Sequence, residues 1–174
     1  DLLHRVLKAN KYDVTMAKNF TDVDDKIIRK IKESGKSLEE ITTFYINSYK
    51  NDMGKLNILP NDLEPYATQN IEAMVTMINK LLDSDKAYKL KDGIYLDTSK
   101  DTNYGSISHR ASDENSQARV EVNNDKRDQK DFAMWKFFDT VEVGFDSNFG
   151  YGRPGWHIEC SAMIDEHLSN HNLP

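Results

Sequence analysis

The chain has 174 residues, 38% hydrophobic and 30% charged, which supports one folded domain, or a domain with a small insertion, and excludes a disordered chain. Its net charge of −6 excludes a surface coated in basic residues, and no apolar run approaches the ~20 residues that a bilayer span needs. The single cysteine, Cys160, excludes an internal disulfide and fits a reducing compartment.

Leu2, Leu3, Val6 and Leu7 recur at helical spacing, so residues 1–9 read as the end of a helix, and the opening on Asp1 reads as an interior start. "YDVTMAK" (12–18) alternates and carries β-branched residues, which predicts a strand. "NFTDVDDK" follows as a loop in which Thr21 or Asp22 caps a helix over 23–31, with Asp24 and Asp25 in its first turn. Ser37 with Glu40 forms a capping box for a second helix, whose apolar face runs Leu38, Ile41, Tyr45, Tyr49, Met53 and Leu56. Pro60 and Pro65 interrupt the pattern. A third helix then shows the clearest period, through Ala67, Ile71, Met74, Val75, Ile78, Leu81 and Leu82.

The texture changes at Lys86. "YKLKDGIYL" predicts a hairpin turning at Asp92-Gly93, since these residues tolerate positive φ. The polar stretch 99–130 contains short β-like pieces such as "ARVEV" (118–122), and "DFAMWKFF" (131–138) returns to the core. Residues 158–169 read as a short helix. This order indicates an α/β core interrupted by a small β-rich insertion. The basic runs Lys26, Arg29, Lys30, Lys32 and Lys126, Arg127, Lys130 read as solvated faces.

Several motifs invite chemistry. Gly150, Gly152 and Gly155 spell G-x-G-x-x-G, but no buried strand precedes them and Pro154 removes an amide, so the dinucleotide reading fails. "GKS" (35–37) is only the tail of a P-loop, because Lys30 stands where its first glycine belongs. Cys160 lies at the start of the last helix, where the dipole favours the thiolate that binds zinc or attacks a carbonyl. His157 could serve it as a base, and Cys160, His157, His167 and His171 are the zinc candidates. The plainer alternatives are a buried small cysteine and surface histidines; Cys160 alone is a convincing ligand. "TDVDD" (21–25) is either a cation cluster or helix capping, and capping is preferred for its aspartates. Thr21, just past a predicted strand end, is the better placed to meet a ligand.

"NFTDVDDKI" (19–27), "EPYAT" (64–68), "YGSIS" (104–108), "DFAMWK" (131–136) and above all "GRPGWHIECSAM" (152–163) closely resemble the cysteinyl-tRNA synthetases, class I enzymes. The resemblance covers essentially the whole chain, with Gln129 and Asn148 where the family usually has proline. It implies part of a class I Rossmann-like catalytic domain (1–85 and 151–174) around a connective insertion (86–150). It also implies a cytoplasmic, monomeric, membrane-free enzyme that takes cysteine, ATP with magnesium, and tRNA(Cys). Zinc would bind the substrate thiolate through Cys160, Trp156 would wall the cysteine pocket, and Thr21 would hold the substrate near its carboxylate. Gly152, Pro154 and Gly155 would shape the turn that presents them. The family's ATP-contacting motifs and other zinc ligands would lie outside these residues, so the expectation is an interior segment that binds zinc poorly and is inactive alone. A cysteine ligase of mycothiol synthesis and a non-catalytic synthetase-like binding module are the competing readings.

Overall fold

The computed structural model describes residues 1–106, 124–138 and 143–169. They fall into two compact units, Asp1–Ile71 with Met163–Pro174, and Glu72–Ala162. "ARVEV" and the last two residues of "YGSIS" lie outside the described residues.

The first unit carries α1 (Leu2–Ala9), α2 (Asp25–Ser34) and α3 (Leu38–Lys55). Asp1 and Arg5 tie α1 to the segment after α3: the Leu59 amide donates to Asp1 Oδ1 at 2.9 Å, and the Arg5 guanidinium donates to the Asn57 carbonyl. The cap of α2 is neither Thr21 nor Asp22 but Asp24, whose Oδ1 accepts from the Ile27 amide at 2.7 Å. Asp22 is drawn away from the helix because it is buried and accepts from the Thr68 amide (2.9 Å) and hydroxyl (2.6 Å). Replacing Asp24 with alanine should cost about 1 kcal/mol in urea unfolding, the usual worth of a side-chain N-cap; no change would mean that the Ile27 amide finds water instead.

The capping box of α3 is present, with Ser37 Oγ accepting from the Glu40 amide (3.1 Å) and Glu40 Oε2 from the Ser37 amide (2.8 Å). These bonds hold the Glu40 carboxyl below its ordinary value. Of the predicted apolar face only Ile41 is buried, while Tyr45 and Leu56 stand exposed.

The predicted strand at 12–18 is not a strand. Its residues run beside 62–67 as two isolated parallel bridges, Ala17 with Leu63 and Phe20 with Tyr66. The reason is chemical. The Leu63 amide donates to Met16, the Lys18 amide to Leu63, the Phe20 amide to Pro65 and the Ala67 amide to Phe20. A regular parallel ladder would add a bond from residue 65 to the Lys18 carbonyl, and proline has no N–H to give. One missing donor splits the ladder in two.

The helix expected from Ala67 begins as a 3₁₀ turn (Ala67–Asn70) and continues as α4 (Ile71–Asp83), whose Met74 and Ile78 are fully buried. In the second unit, β1 (Ala87–Lys89), β2 (Gly93–Leu96), β3 (Ala133–Phe137) and β4 (Gly152–Pro154) form one antiparallel sheet in the order β1-β2-β3-β4. The hairpin forms as predicted, but its loop is Lys91-Asp92, closed by the Leu90 amide on the Gly93 carbonyl at 2.8 Å. Gly93 is needed for space rather than for a positive φ: a Cβ there would sit 2.2 Å from the Trp135 carbonyl oxygen. Met134 and Trp135 are buried, so "DFAMWKFF" does return to a core. Buried Asp131 accepts from the Tyr88 hydroxyl (2.6 Å), the Thr98 amide and hydroxyl (both 2.9 Å) and the Asp128 amide (3.1 Å). Among the described residues no helix is long and apolar enough to cross a membrane.

Candidate functional site

The motif "GRPGWHIEC" is built as strand, turn and helix. β4 pairs with β3 through Lys136–Arg153 and Trp135–Pro154, so Gly152 and Pro154 lie in a strand and not, as expected, in the turn. Pairing continues past the strand end, where the Gly155 amide donates to Met134 (2.7 Å) and the Trp156 amide to Ala133 (3.0 Å). The chain then turns at Trp156-His157, with His157 in the left-handed region at φ 68. A non-glycine residue is strained there, and such strain gathers at functional sites. The His157 ring is held edge-on by Trp156 (5.4 Å) and Phe132 (5.6 Å). Periodicity carried no signal for this conformation.

α5 (Ile158–Leu168) starts immediately after the turn and places Cys160 in its first turn, as predicted. Trp156 and Cys160 are both exposed, the indole by 63%. The thiol does not follow the helix-dipole expectation. Protein packed around the sulfur, and secondarily the Glu159 carboxylate, push it above its ordinary value. The Glu159 carboxyl is itself pushed up by burial, and its Oε2 has no hydrogen-bond partner among the described residues. Burial pushes His157 down, which favours its neutral form.

The glycine run is not a phosphate cradle. The amides of Gly150, Gly152 and Gly155 donate to Ser147, Phe145 and Met134, so none of the three faces outward for an anion. The aspartates of "TDVDD" are likewise engaged, Asp22 on Thr68 and Asp24 as the cap. Thr21 is exposed in the first unit, and its Oγ1 accepts from Asn19 Nδ2 at 3.3 Å. Arg127, from the second basic run, is held by Asp97 (3.0 Å) and lies over the Tyr88 ring (4.3 Å).

As a zinc donor Cys160 fits by chemistry and by exposure, since a reachable sulfur is a soft ligand once a metal displaces its proton. The described residues do not complete a site around it. His167 Nε2 lies 2.9 Å from Asn70 Oδ1 in the first unit, His171 lies outside the described residues, and no three metal-binding side chains cluster among those described.

Strand, turn and helix here present an exposed indole and an exposed thiol. Residues 1–172 match the family described as the tRNA synthetases class I (C) catalytic domain, and the chain belongs to that family. It folds as part of such a domain. Among curated relatives it is 61% identical over 174 residues to the cysteine–tRNA ligase of Aliarcobacter butzleri, covering 100% of this chain and 37% of the relative. The cysteine–tRNA ligases of a Nitratiruptor species and a Sulfurovum species are 54% and 52% identical, over 100% and 97% of this chain and 38% and 37% of their own lengths. The chain thus spans a little over a third of these relatives.

Proposed function

We propose that the protein containing this chain activates cysteine with ATP and transfers it to tRNA(Cys). The observation that carries the reading is the joint exposure of Trp156 and Cys160 on one strand–turn–helix unit. In the first step a cysteine carboxylate oxygen attacks the α-phosphorus of ATP, which carries its magnesium, and pyrophosphate leaves. In the second a ribose hydroxyl of the tRNA end attacks the adenylate carbonyl and AMP leaves. Trp156 supplies an apolar wall for the small substrate side chain, and the Thr21 hydroxyl supplies a hydrogen bond near its carboxylate. Cys160 contributes one ligand to a zinc whose other ligands lie outside residues 1–174. Bound zinc would select a thiolate over the hydroxyl of serine by ligand softness. Residues 86–150 form the connective insertion in this reading. The reducing cytoplasm is the compartment that suits an exposed lone thiol.

The test is cysteine-dependent ATP–pyrophosphate exchange by the full-length protein. Cys160→Ala should lower kcat/KM for cysteine by about 100-fold or more, as loss of metal support does. Trp156→Ala should raise KM for cysteine about tenfold, the worth of one lost apolar wall. Exchange that is indifferent to both would sink the reading. Exchange without charging of tRNA, but with joining of cysteine to an amino sugar, would move the protein to the mycothiol branch.

A further inference from the structure

Of residues 19–24 only Thr21 is exposed, and the chain is fastened on both sides of it. On one side the Phe20 amide donates to the Pro65 carbonyl (2.9 Å) and the Phe20 carbonyl accepts from the Ala67 amide (3.0 Å). On the other, buried Asp22 engages Thr68 with both carboxylate oxygens, Oδ1 accepting from the amide (2.9 Å) and Oδ2 from the hydroxyl (2.6 Å). The turn that receives these bonds, Ala67–Asn70, is itself pinned. Ala67 and Asn70 are buried, Asn70 Nδ2 donates to the Tyr66 carbonyl (2.8 Å), and Asn70 Oδ1 meets His167 Nε2 (2.9 Å).

A staple for stability alone would explain Asp22, but it would not explain why the hold brackets a single exposed hydroxyl. With residues 20 and 22 fixed, the backbone cannot swing Thr21 away, and its branched Cβ leaves few rotamers. Asn19 Nδ2 donates to Thr21 Oγ1 at 3.3 Å, which leaves the hydroxyl proton for an outside acceptor. We infer that Asp22 and Thr68 are positioning residues, which fix Thr21 so that its hydroxyl donates to the carboxylate of the amino-acid substrate. The inference rests on the function proposed above, in which Thr21 meets that carboxylate. A donor ordered before the substrate arrives spares binding the entropy of ordering it then.

The experiment is a double-mutant cycle in cysteine-dependent ATP–pyrophosphate exchange by the full-length protein. Thr21→Val removes the hydroxyl and keeps the shape, and Asp22→Ala removes the hold. Each alone should raise KM for cysteine about tenfold, the order of one hydrogen bond to a charged group, with kcat within about twofold. The double variant should be no worse than either single, because a donor already absent cannot be misplaced. Asp22→Asn should recover most of the loss, since its oxygen still accepts from the Thr68 amide and its nitrogen can donate to the Thr68 hydroxyl. A double variant worse by roughly 100-fold, the product of two independent effects, would overturn the inference and leave Thr21 its role. So would a lower kcat at unchanged KM in Asp22→Ala, the mark of a smaller folded fraction. Should Asp22→Ala not fold, Thr68→Val, which keeps the backbone bond, takes its place in the cycle. Exchange indifferent to Thr21→Val would sink the reading of Thr21 and this inference with it.

Discussion

Alanine at Asp131 is expected to destabilise the protein by about 3–5 kcal/mol, because it leaves several buried donors unpaired at about 1–3 kcal/mol each. The side chain is 1% exposed and accepts four hydrogen bonds, from Tyr88, from the Thr98 amide and hydroxyl, and from Asp128. These donors bring together β1, the turn after β2, and the segment leading into β3. Without the carboxylate, the Thr98 amide and the Tyr88 hydroxyl are left buried, each costing about 1–3 kcal/mol if unsatisfied. Asparagine should cost less, because its Oδ1 still serves Thr98, although its amide then opposes the Asp128 N–H. Urea unfolding of both variants gives the order, and a loss below about 1 kcal/mol for alanine would mean that water fills the site. Tyrosine titration supplies an independent readout. Burial first, and then the bond to Asp131, push the Tyr88 hydroxyl from 10.0 up to about 12. A raised folded-state value stabilises fully below pH 10 and is lost as pH climbs through about 12. The asparagine variant lacks that carboxylate, so its Tyr88 hydroxyl should titrate closer to 10.0 and its stability should fall less between pH 10 and about 12.

The second large effect is expected at Gly155. A Cβ there would lie 1.9 Å from the Ala133 carbonyl oxygen and 2.6 Å from its carbon, both backbone atoms of β3. Neither can swing aside as a side chain would, so Gly155→Ala must push β4 and the turn away from β3. The bonds from the Gly155 and Trp156 amides stretch with it. Overpacking costs about 1–3 kcal/mol, and a clash with fixed backbone atoms belongs at the upper end. Misplacing reactive groups by about 1 Å costs roughly 100-fold in rate, so under the function proposed above cysteine activation by the full-length protein should fall by that order. Gly54, in α3 with nothing within 4 Å of its Cβ position, is the control. Alanine there should stabilise by about 0.5–1 kcal/mol. A Gly155→Ala protein that unfolds normally and activates cysteine within twofold would show that the turn is not held by this close approach.

Local signals were legible where the physics is local. The capping box at Ser37 and Glu40 needs only residues three apart, and it forms as read. The α4 stripe through Met74 and Ile78 likewise needs only the helical period, and the position of Cys160 at the start of α5 needs only the preceding breaker residues. The cap of α2 was misread because Asp22 and Asp24 are equally good caps in sequence. Thr68, 46 positions away, takes the first and leaves the second to the helix. The strand at 12–18 failed for a related reason, since its β-branched pattern is sound but its neighbour carries Pro65. The protonation preference of Cys160 also escaped, because the dipole is a local property whereas burial and the Glu159 carboxylate are set by packing.

The sequence by itself determined the family, through motifs in which Trp156 and Cys160 are fixed four positions apart, and it determined the helices, whose period and caps lie within one chain segment. Only the tertiary structure decided what the glycines do, which aspartate caps, and which one holds Thr68. Each of these depends on atoms brought together from distant parts of the chain. Close approach, burial and the competition for a hydrogen-bond donor exist only once those parts have met.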